Sequence, residues 1–132
     1  MTKAREFDLE VVSRQLKEMK PAAIVRWAAG HFDSGLVLST SFGAHSALML
    51  HLVTNVVPTI PVIFIDTGFH FPETYQFADE LTKRLSLNLK VFQASLSPAW
   101  MSSRYGHLWE QGLEGLNQYD QIRKIKPMQR AL

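Results

Sequence analysis

The chain has 132 residues, of which 46% are hydrophobic and 20% charged, and its formal net charge is +2 at pH 7. This length and composition fit one globular domain, whereas so mild a charge does not predict nucleic-acid binding, and no apolar stretch approaches the roughly 20 residues that span a bilayer. The sequence contains no cysteine, which excludes disulfides, thiolate metal ligands and a cysteine nucleophile within these residues.

Two helices are predicted at the start of the chain. Apolar residues recur at spacings of three and four between Leu9 and Met19, and Pro21 suits the first turn of a second helix. An Asp-Ser-Gly turn at residues 33–35 ends that helix, so we expect a helical lead-in over residues 1–34. The charged N-terminus has no apolar signal-peptide segment, and we therefore expect a cytoplasmic protein.

Three apolar runs are predicted to be strands of a parallel sheet. They cover residues 36–38, 62–65 and, more weakly, 89–92, and they lack the polar alternation of strands that face water. Helical patterns lie between them, at about residues 44–57 and from Pro72 onwards. This alternation of strands and helices predicts an α/β domain.

The last third of the chain is less regular. Ser97 and Pro98 predict a helix start, as N-cap and first helical residue, and Pro127 is predicted to begin another short helix. Three glycines are expected to interrupt the segment between them: Gly106, Gly112 and Gly115. Only three strands are convincing where sheets average about five or six, so we expect the sequence to stop within a domain.

The loop at residues 39–46 follows the first strand and opens a helix. Its small hydroxyl residues and Gly43 allow the backbone to approach an anion, and the free N–H groups of the first helical turn favour negative charge. Four of its residues can add hydroxyl donors: Ser39, Thr40, Ser41 and Ser46. Neither a Walker loop nor a GxGxxG pattern is present. A capped, serine-rich turn without a ligand remains the alternative.

A second polar cluster, Asp66-Thr67-Gly68, follows the second strand. The carboxyl ends of parallel strands meet at one edge of a sheet, which is where ligands bind in α/β proteins. Two polar clusters at that edge predict one site. The alternative for Asp66 is that its carboxylate only caps the following turn.

Several segments together carry a family resemblance. Residues 41–46, Ser-Phe-Gly-Ala-His-Ser, resemble the SGGxDS PP-loop of adenine nucleotide alpha-hydrolase-like proteins, with departures at Phe42 and His45. Loss of the acidic residue at position 45 disfavours ATP cleavage, and the variant is similar to the loop of PAPS (phosphoadenylyl sulfate) and APS (adenylyl sulfate) reductases. Three further segments are similar to that family: residues 65–74 (IDTGFHFPET), 104–110 (RYGHLWE) and 124–132 (KIKPMQRAL).

The resemblance implies a Rossmann-like parallel sheet flanked by helices and incomplete at the C-terminus. On this view residues 1–132 are the N-terminal part of one domain, with a nucleotide-binding core at residues 35–132. The implied ligand residues are Ser39, Ser41, Phe42, Gly43, Asp66, Thr67 and Gly68, beside the hydroxyls of Thr40 and Ser46.

The two types of reductase differ at a pair of cysteines. APS reductases hold an iron–sulfur cluster and carry a Cys-Cys pair where this chain has Tyr119 and Asp120, neither of which supplies a cluster thiolate. The resemblance therefore implies the cluster-free type, which acts on PAPS, with no bound cofactor and no metal. An APS reductase remains an alternative.

The family's mechanism depends on a cysteine near the C-terminus. Its thiolate attacks the sulfur of PAPS and releases adenosine 3′,5′-bisphosphate, after which thioredoxin or glutaredoxin releases sulfite. Because this chain has no cysteine, we expect these residues alone to be inactive. The expected partners are PAPS, adenosine 3′,5′-bisphosphate and thioredoxin, without nucleic acid or membrane, and a homodimer is left open.

Two other classes of function also remain. One is an ATP-dependent PP-loop enzyme, and the other is a non-catalytic nucleotide-binding remnant. Near the end of the chain, the basic residues Arg123, Lys124, Lys126 and Arg130 form either a solvated helix face or a basic lip over an anion. Arg104 is similarly a phosphate contact or a surface ion-pair partner. Three aromatic residues either stack on adenine or belong to the core: Trp100, Tyr105 and Trp109.

Overall fold

The computed structural model describes residues 7–132. The helices are α1 (Leu9–Lys17), α2 (Pro21–Phe32), α3 (Ser46–Val56), α4 (Pro72–Leu85), α5 (Pro98–Tyr105), α6 (Gly112–Asp120) and α7 (Lys126–Ala131). The strands are β1 (Leu38–Ser39), β2 (Pro61–Asp66) and β3 (Asn88–Gln93). Short 3₁₀ turns cover Asp33–Gly35 and Leu108–Glu110, and a π-helical segment covers Gln121–Ile125.

The two N-terminal helices predicted from the sequence are confirmed where the structure describes them. The carboxylate of Asp8 accepts hydrogen bonds from the N–H groups of Glu10 and Val11 at the start of α1, at 3.1 and 3.2 Å. Pro21 is the first residue of α2, where its missing N–H leaves no helical bond unmade. The first six residues of the predicted lead-in lie outside the described residues.

The strands form the parallel sheet that the sequence predicted, and their order in it is β1-β2-β3. Leu38 lies opposite Val62, and Pro61 lies opposite Asn88. β2 is the central strand and supplies three side chains that are at most 3% exposed: Val62, Ile63 and Phe64. β3 is partly exposed and β1 has only two residues, so β2 is the most deeply buried of the three predicted strands.

The hydrophobic core fills the space between β2 and helices α3 and α4. Leu50 of α3 and Leu81 of α4 are both nearly inaccessible, and they belong to one cluster with the β2 residues Val62 and Phe64. Burying side chains of this size stabilises a fold by roughly 1.5 to 3 kcal/mol each. The core therefore holds the loops at the ends of β1 and β2 in place.

The C-terminal third differs from the sequence expectation. Ser97 caps α5 as predicted, with its hydroxyl accepting from the N–H of Trp100 at 3.1 Å. Pro127 lies in the first turn of the short helix α7, as predicted, but α7 is not separate, because α6, the π segment and α7 follow one another without a gap from residue 112 to 131. A proline cannot donate an interior α-helical hydrogen bond, and Pro127 lies just after the hydrogen-bonding pattern changes from π to α.

The three glycines of this region have different positions. Gly106 ends α5 and Gly112 begins α6, both with positive φ, so they interrupt the helices as expected. Gly115 lies inside α6, where the expected interruption was wrong. A Cβ at Gly115 would come within 2.2 Å of the carbonyl oxygen of Leu108, so close packing explains this glycine. Among residues 7–132, no helix is both long enough and apolar enough to cross a membrane.

Candidate functional site

The loop after β1 is fastened to the sheet and to the core. The N–H of Thr40 donates to the carbonyl of Ile63 at 3.0 Å, and the Thr40 hydroxyl accepts from the N–H of Phe42 at 3.1 Å. Phe42 has a φ of 53° and turns its ring into the core, 5.1 Å from the ring of Phe64. The buried phenyl group therefore fixes the path of a loop in which Ser39 and Ser41 stay exposed.

The same loop leads directly into helix α3. Ser46 closes the turn, because its N–H and its hydroxyl both donate to the carbonyl of Gly43, at 3.0 and 2.7 Å. His45 occupies the N-cap position, and within the described residues no side chain caps this helix. The first-turn amides and the positive end of the helix dipole are thus available to an anion.

A cavity of about 380 Å³ lies against this helix start, and we call it the loop cavity. Five predicted site residues line it: Ser39, Thr40, Ser41, Gly43 and Ser46. Its other side is apolar, with Met49 and Leu50 of α3.

The turn after β2 is organised around the carboxylate of Asp66. One oxygen accepts from the Tyr75 hydroxyl at 2.6 Å and from the N–H of Gly68 at 2.9 Å, and the other accepts from the Gln93 amide at 2.9 Å. Burial raises the pKa of Asp66, but these hydrogen bonds outweigh it, and the pKa lies below its usual value. Asp66 is therefore an ionised group that ties β2, α4 and β3 together.

Tyr75 makes the shortest of the three hydrogen bonds to this carboxylate. Burial, together with the hydrogen bond to Asp66 and the negative charge of Asp66, raises the pKa of Tyr75 to about 12. The tyrosine is therefore protonated at neutral pH and acts as a donor.

Thr67 and Gly68 join the turn to the C-terminal helical segment. The Thr67 carbonyl accepts from both Nε and an Nη of Arg123, at 2.9 and 2.6 Å, and a second Nη donates to the carbonyl of Leu96. Arg123 is only 2% exposed, and burial lowers its pKa. Gly68, with a φ of 79°, passes beside this guanidinium and Pro98, where a Cβ has no room.

Between the two loops lies a cavity of about 560 Å³, which we call the central cavity. Its polar lining includes Ser39, Thr40, Ser41, Thr67, His70 and Lys124. Its apolar lining is Ile63, Ile65 and Met128. Hydroxyl groups, a lysine and apolar side chains in one cavity suit a ligand that is anionic at one end and apolar at the other.

The structure brings together only part of the predicted set. Four predicted residues line the central cavity: Ser39, Thr40, Ser41 and Thr67. Gly43 and Ser46 lie on the other side of the same loop. The remaining three, Phe42, Asp66 and Gly68, line neither cavity, and their contacts hold the two loops in shape.

Lys124 was not among the predicted site residues. It comes from the C-terminal helical segment, 57 to 85 residues after the four predicted residues that line the central cavity. The only signal in the sequence was the run of basic residues after Asp120, which does not say which lysine faces the loops. In the described part of the chain, no three His, Asp or Glu residues are grouped so as to hold a metal ion.

These features define an α/β protein whose polar loops meet at the carboxyl edge of a parallel sheet. The family model of the phosphoadenosine phosphosulfate reductase domain matches residues 35–132. The chain belongs to this family.

The relatives carry the same name. A phosphoadenosine 5′-phosphosulfate reductase of Synechocystis sp. is 59% identical over 128 residues, which are 96% of this chain and 51% of that protein. One from Serratia proteamaculans is 55% identical over 124 residues, 94% of this chain and 51% of that protein. This chain thus spans about half the length of the curated relatives it matches.

The fold has a solved counterpart. The crystal structure of a PAPS reductase from Candida auris, a phosphate complex, superposes with a TM-score of 0.82 at 27% identity. The match covers 99% of this chain and 63% of that one. The expected fold, a parallel sheet flanked by helices, is therefore confirmed.

Proposed function

We propose that the central and loop cavities together bind PAPS and adenosine 3′,5′-bisphosphate, as the nucleotide-binding part of a reductase that forms sulfite in assimilatory sulfate reduction. The observation that carries the proposal is the meeting of Ser39, Ser41, Thr67 and Lys124 around one cavity. Its volume of about 560 Å³ lies within the range of roughly 300 to 1,000 Å³ of small-molecule sites. That the related Candida auris structure is a phosphate complex supports an anion site.

The lining suggests how a nucleotide would lie. The anionic end meets the hydroxyl-rich loop, the first-turn amides of α3 and the ammonium group of Lys124, which are all donors or positive charges. The adenosine part lies along Ile63 and Ile65, beside Thr67. Phe42, Asp66 and Gly68 act as positioning residues in this arrangement, because they hold the loops from behind.

The chemistry proposed for the whole protein is nucleophilic. A cysteine thiolate, which these residues do not contain, forms a bond to the sulfur of PAPS, and the S–O bond breaks with its electron pair on the leaving phosphate oxygen. A thiol of thioredoxin or glutaredoxin then attacks the cysteine sulfur and releases sulfite, and its second thiol completes a disulfide. Lys124 and the α3 amides would stabilise the charge on the leaving adenosine 3′,5′-bisphosphate.

The rest of the proposal follows the family. Residues 35–132 form the nucleotide-binding portion, and the protein acts in the cytoplasm, where thioredoxin is kept reduced. The reaction uses no iron–sulfur cluster, since Tyr119 and Asp120 have no thiolate to offer one.

Calorimetric titration of the chain with adenosine 3′,5′-bisphosphate tests the site. We expect Lys124→Gln to weaken binding roughly tenfold or more, because a charge-assisted phosphate contact is lost. Lys83→Gln is the matched control, since Lys83 is exposed on α4 and lines neither cavity, and it should bind as the unmodified chain does. Adenosine 5′-monophosphate should bind more weakly, because PAPS carries a 3′-phosphate that this ligand lacks.

Equal affinity in Lys124→Gln and Lys83→Gln would show that the nucleotide lies elsewhere and would overturn the assignment. Binding of ATP with release of pyrophosphate would favour an ATP-dependent enzyme of the same fold instead.

A further inference from the structure

A third cavity, of about 690 Å³, lies beyond the carboxyl end of β3, and we call it the basic cavity. It is bounded by the loop at residues 94–96, by α5 and by the C-terminal helical segment. Six of its side chains matter here: Trp100, Arg104, Tyr105, Lys126, Gln129 and Arg130. None of them lines the central or the loop cavity.

The C-terminal helical segment separates the basic cavity from the central cavity. Lys124 and Met128, four residues apart, line the central cavity, whereas Lys126 and Arg130, also four apart, line the basic cavity. Two residues correspond to about 200° around a helix, so the two pairs face in opposite directions. The basic cavity is therefore a separate site and not an extension of the first.

The positive charge of the basic cavity is not neutralised by acidic residues of its own lining. Arg104, Lys126 and Arg130 line it, and its lining includes no acidic residue. Among residues 7–132, none of these three cations takes part in an ion pair, although Lys124 on the opposite face pairs with Asp120 at 3.3 Å. One Nη of Arg130 donates to the carbonyl of Gln93, and the other N–H groups of its guanidinium can still donate to a ligand. A concave surface with three such charges attracts anions.

The basic cavity also contains an exposed indole. Trp100 is 59% exposed, and the guanidinium carbon of Arg104 lies 5.5 Å from the centre of its ring. Tyr105 is 38% exposed beside it. An exposed ring among cations offers a stacking face to a ligand that is planar at one end and anionic at the other.

We propose that the basic cavity binds a second nucleotide, a nucleoside diphosphate or triphosphate. Its base stacks on Trp100, and its phosphates are held by Lys126, Arg104 and the remaining donors of Arg130. An acidic peptide could satisfy the cations but would leave the indole without a planar partner. The volume is also that of a small-molecule site.

Calorimetric titration of the chain with adenosine 5′-diphosphate tests the second site. Lys126→Gln should weaken one binding event about tenfold through the lost phosphate contact, and Trp100→Leu should weaken the same event about tenfold through the lost stacking. Both positions are exposed, so circular dichroism should show folded variants. Binding of inorganic pyrophosphate should be weakened by Lys126→Gln and unaffected by Trp100→Leu, because pyrophosphate has no base to stack.

Lys124→Gln is the matched control, because it removes the same charge two residues away on the other face of the segment. Lys124→Gln should leave unchanged the binding of adenosine 5′-diphosphate that depends on Trp100. The second site is therefore tested separately from the nucleotide site of the proposed function. If Lys126→Gln and Trp100→Leu bind adenosine 5′-diphosphate as the unmodified chain does, or if no event depends on them, the second site does not exist. If tetraglutamate displaces adenosine 5′-diphosphate from this site as effectively as inorganic pyrophosphate does, the proposal is overturned in favour of an acidic peptide.

Discussion

Gly68 lies at the tightest point of the turn after β2. Its φ of 79° is in the region that side chains with a Cβ disfavour, and a Cβ there would stand 2.6 Å from a ring carbon of Pro98 and 3.2 Å from an Nη of Arg123. The glycine thus lets β2, α5 and the buried guanidinium approach one another.

Gly68→Ala is expected to destabilise the chain by roughly 2 to 4 kcal/mol, from about 1 to 2 for the left-handed backbone and more for the clash with Pro98. Urea denaturation followed by circular dichroism measures the change. Gly30→Ala is the control, because Gly30 lies in α2 with open space around it, and it should stabilise the chain by about 0.5 to 1 kcal/mol. Equal effects of the two substitutions would contradict this account.

Asp66 and Tyr75 make stability depend on pH at both ends of the scale. The pKa of Asp66 is lower in the folded chain than in the unfolded one, so its contribution is present above about pH 4 and is lost as pH falls through the folded value. The pKa of Tyr75 is raised from 10.0 to about 12, so its contribution is present below pH 10 and is lost between pH 10 and 12.

Asp66→Asn should make the free energy of unfolding depend less steeply on pH below about pH 4. The unmodified chain is expected to lose free energy of unfolding below pH 4 more steeply than the variant, because the unfolded carboxylate binds a proton first. Thermal unfolding at a series of pH values provides the measurement, with Asp79→Asn at an exposed position of α4 as control.

The tyrosine gives an independent check of the same hydrogen bond. Of the three tyrosines in the chain, Tyr75 should ionise near pH 12, and its tyrosinate absorbance should shift towards lower pH in Asp66→Asn. An unchanged slope of the free energy of unfolding against pH in this acid range in Asp66→Asn would mean that folding does not lower the pKa of Asp66.

At the scale of elements, the C-terminal helical segment is fixed to the sheet through one side chain. Arg123 comes from the π-helical turn and donates to the carbonyls of Thr67 and Leu96, which follow β2 and β3. Its guanidinium also lies 5.7 Å from the ring centre of Phe69. The π turn therefore directs an arginine inward, and this leaves Lys124 beside the central cavity.

Arg123→Gln should cost roughly 3 kcal/mol or more, because it leaves buried carbonyls without their charged donor. Arg123→Lys should recover little, since an ammonium group lacks the planar fork that reaches both carbonyls. Chemical denaturation measures the loss, and Arg84→Gln is the control. Arg84 forms only an exposed pair with Glu80 on α4, worth less than about 0.5 kcal/mol. A loss in Arg123→Gln no larger than in Arg84→Gln would refute the anchoring role.

At the scale of the whole molecule, the loop cavity and the central cavity share the loop after β1, and the basic cavity lies beyond β3, at the carboxyl edge of the sheet. The chain can therefore offer binding groups from several elements at once. It offers no thiol, because it contains no cysteine.

We expect the purified chain to form no sulfite from PAPS and reduced thioredoxin, since the thiolate that would attack sulfur is missing. Sulfite assay against a full-length reductase of the family measures this, and nucleotide binding by the same sample shows that the site is intact. Sulfite formation above the uncatalysed rate would show that the chemistry does not need a cysteine.

Local sequence signals predicted the elements well where the cause is local. Pro21, Pro72 and Ser97 mark helix starts that the structure confirms, and the apolar run at 62–65 becomes the buried strand β2. The signals failed at Gly115, which packs against the carbonyl of Leu108 inside α6, and they did not show that the helix of Pro127 continues directly from the π segment before it.

The sequence by itself determined the α/β class, the two loops at the strand ends and the family resemblance, because these depend on patterns within a few residues. Tertiary structure alone decided that Arg123 is buried, that Lys124 and Lys126 face different cavities and that Asp66 is held by Tyr75 and Gln93. Those outcomes depend on partners up to 56 residues apart, which meet only when the core brings β2, β3 and the C-terminal segment together.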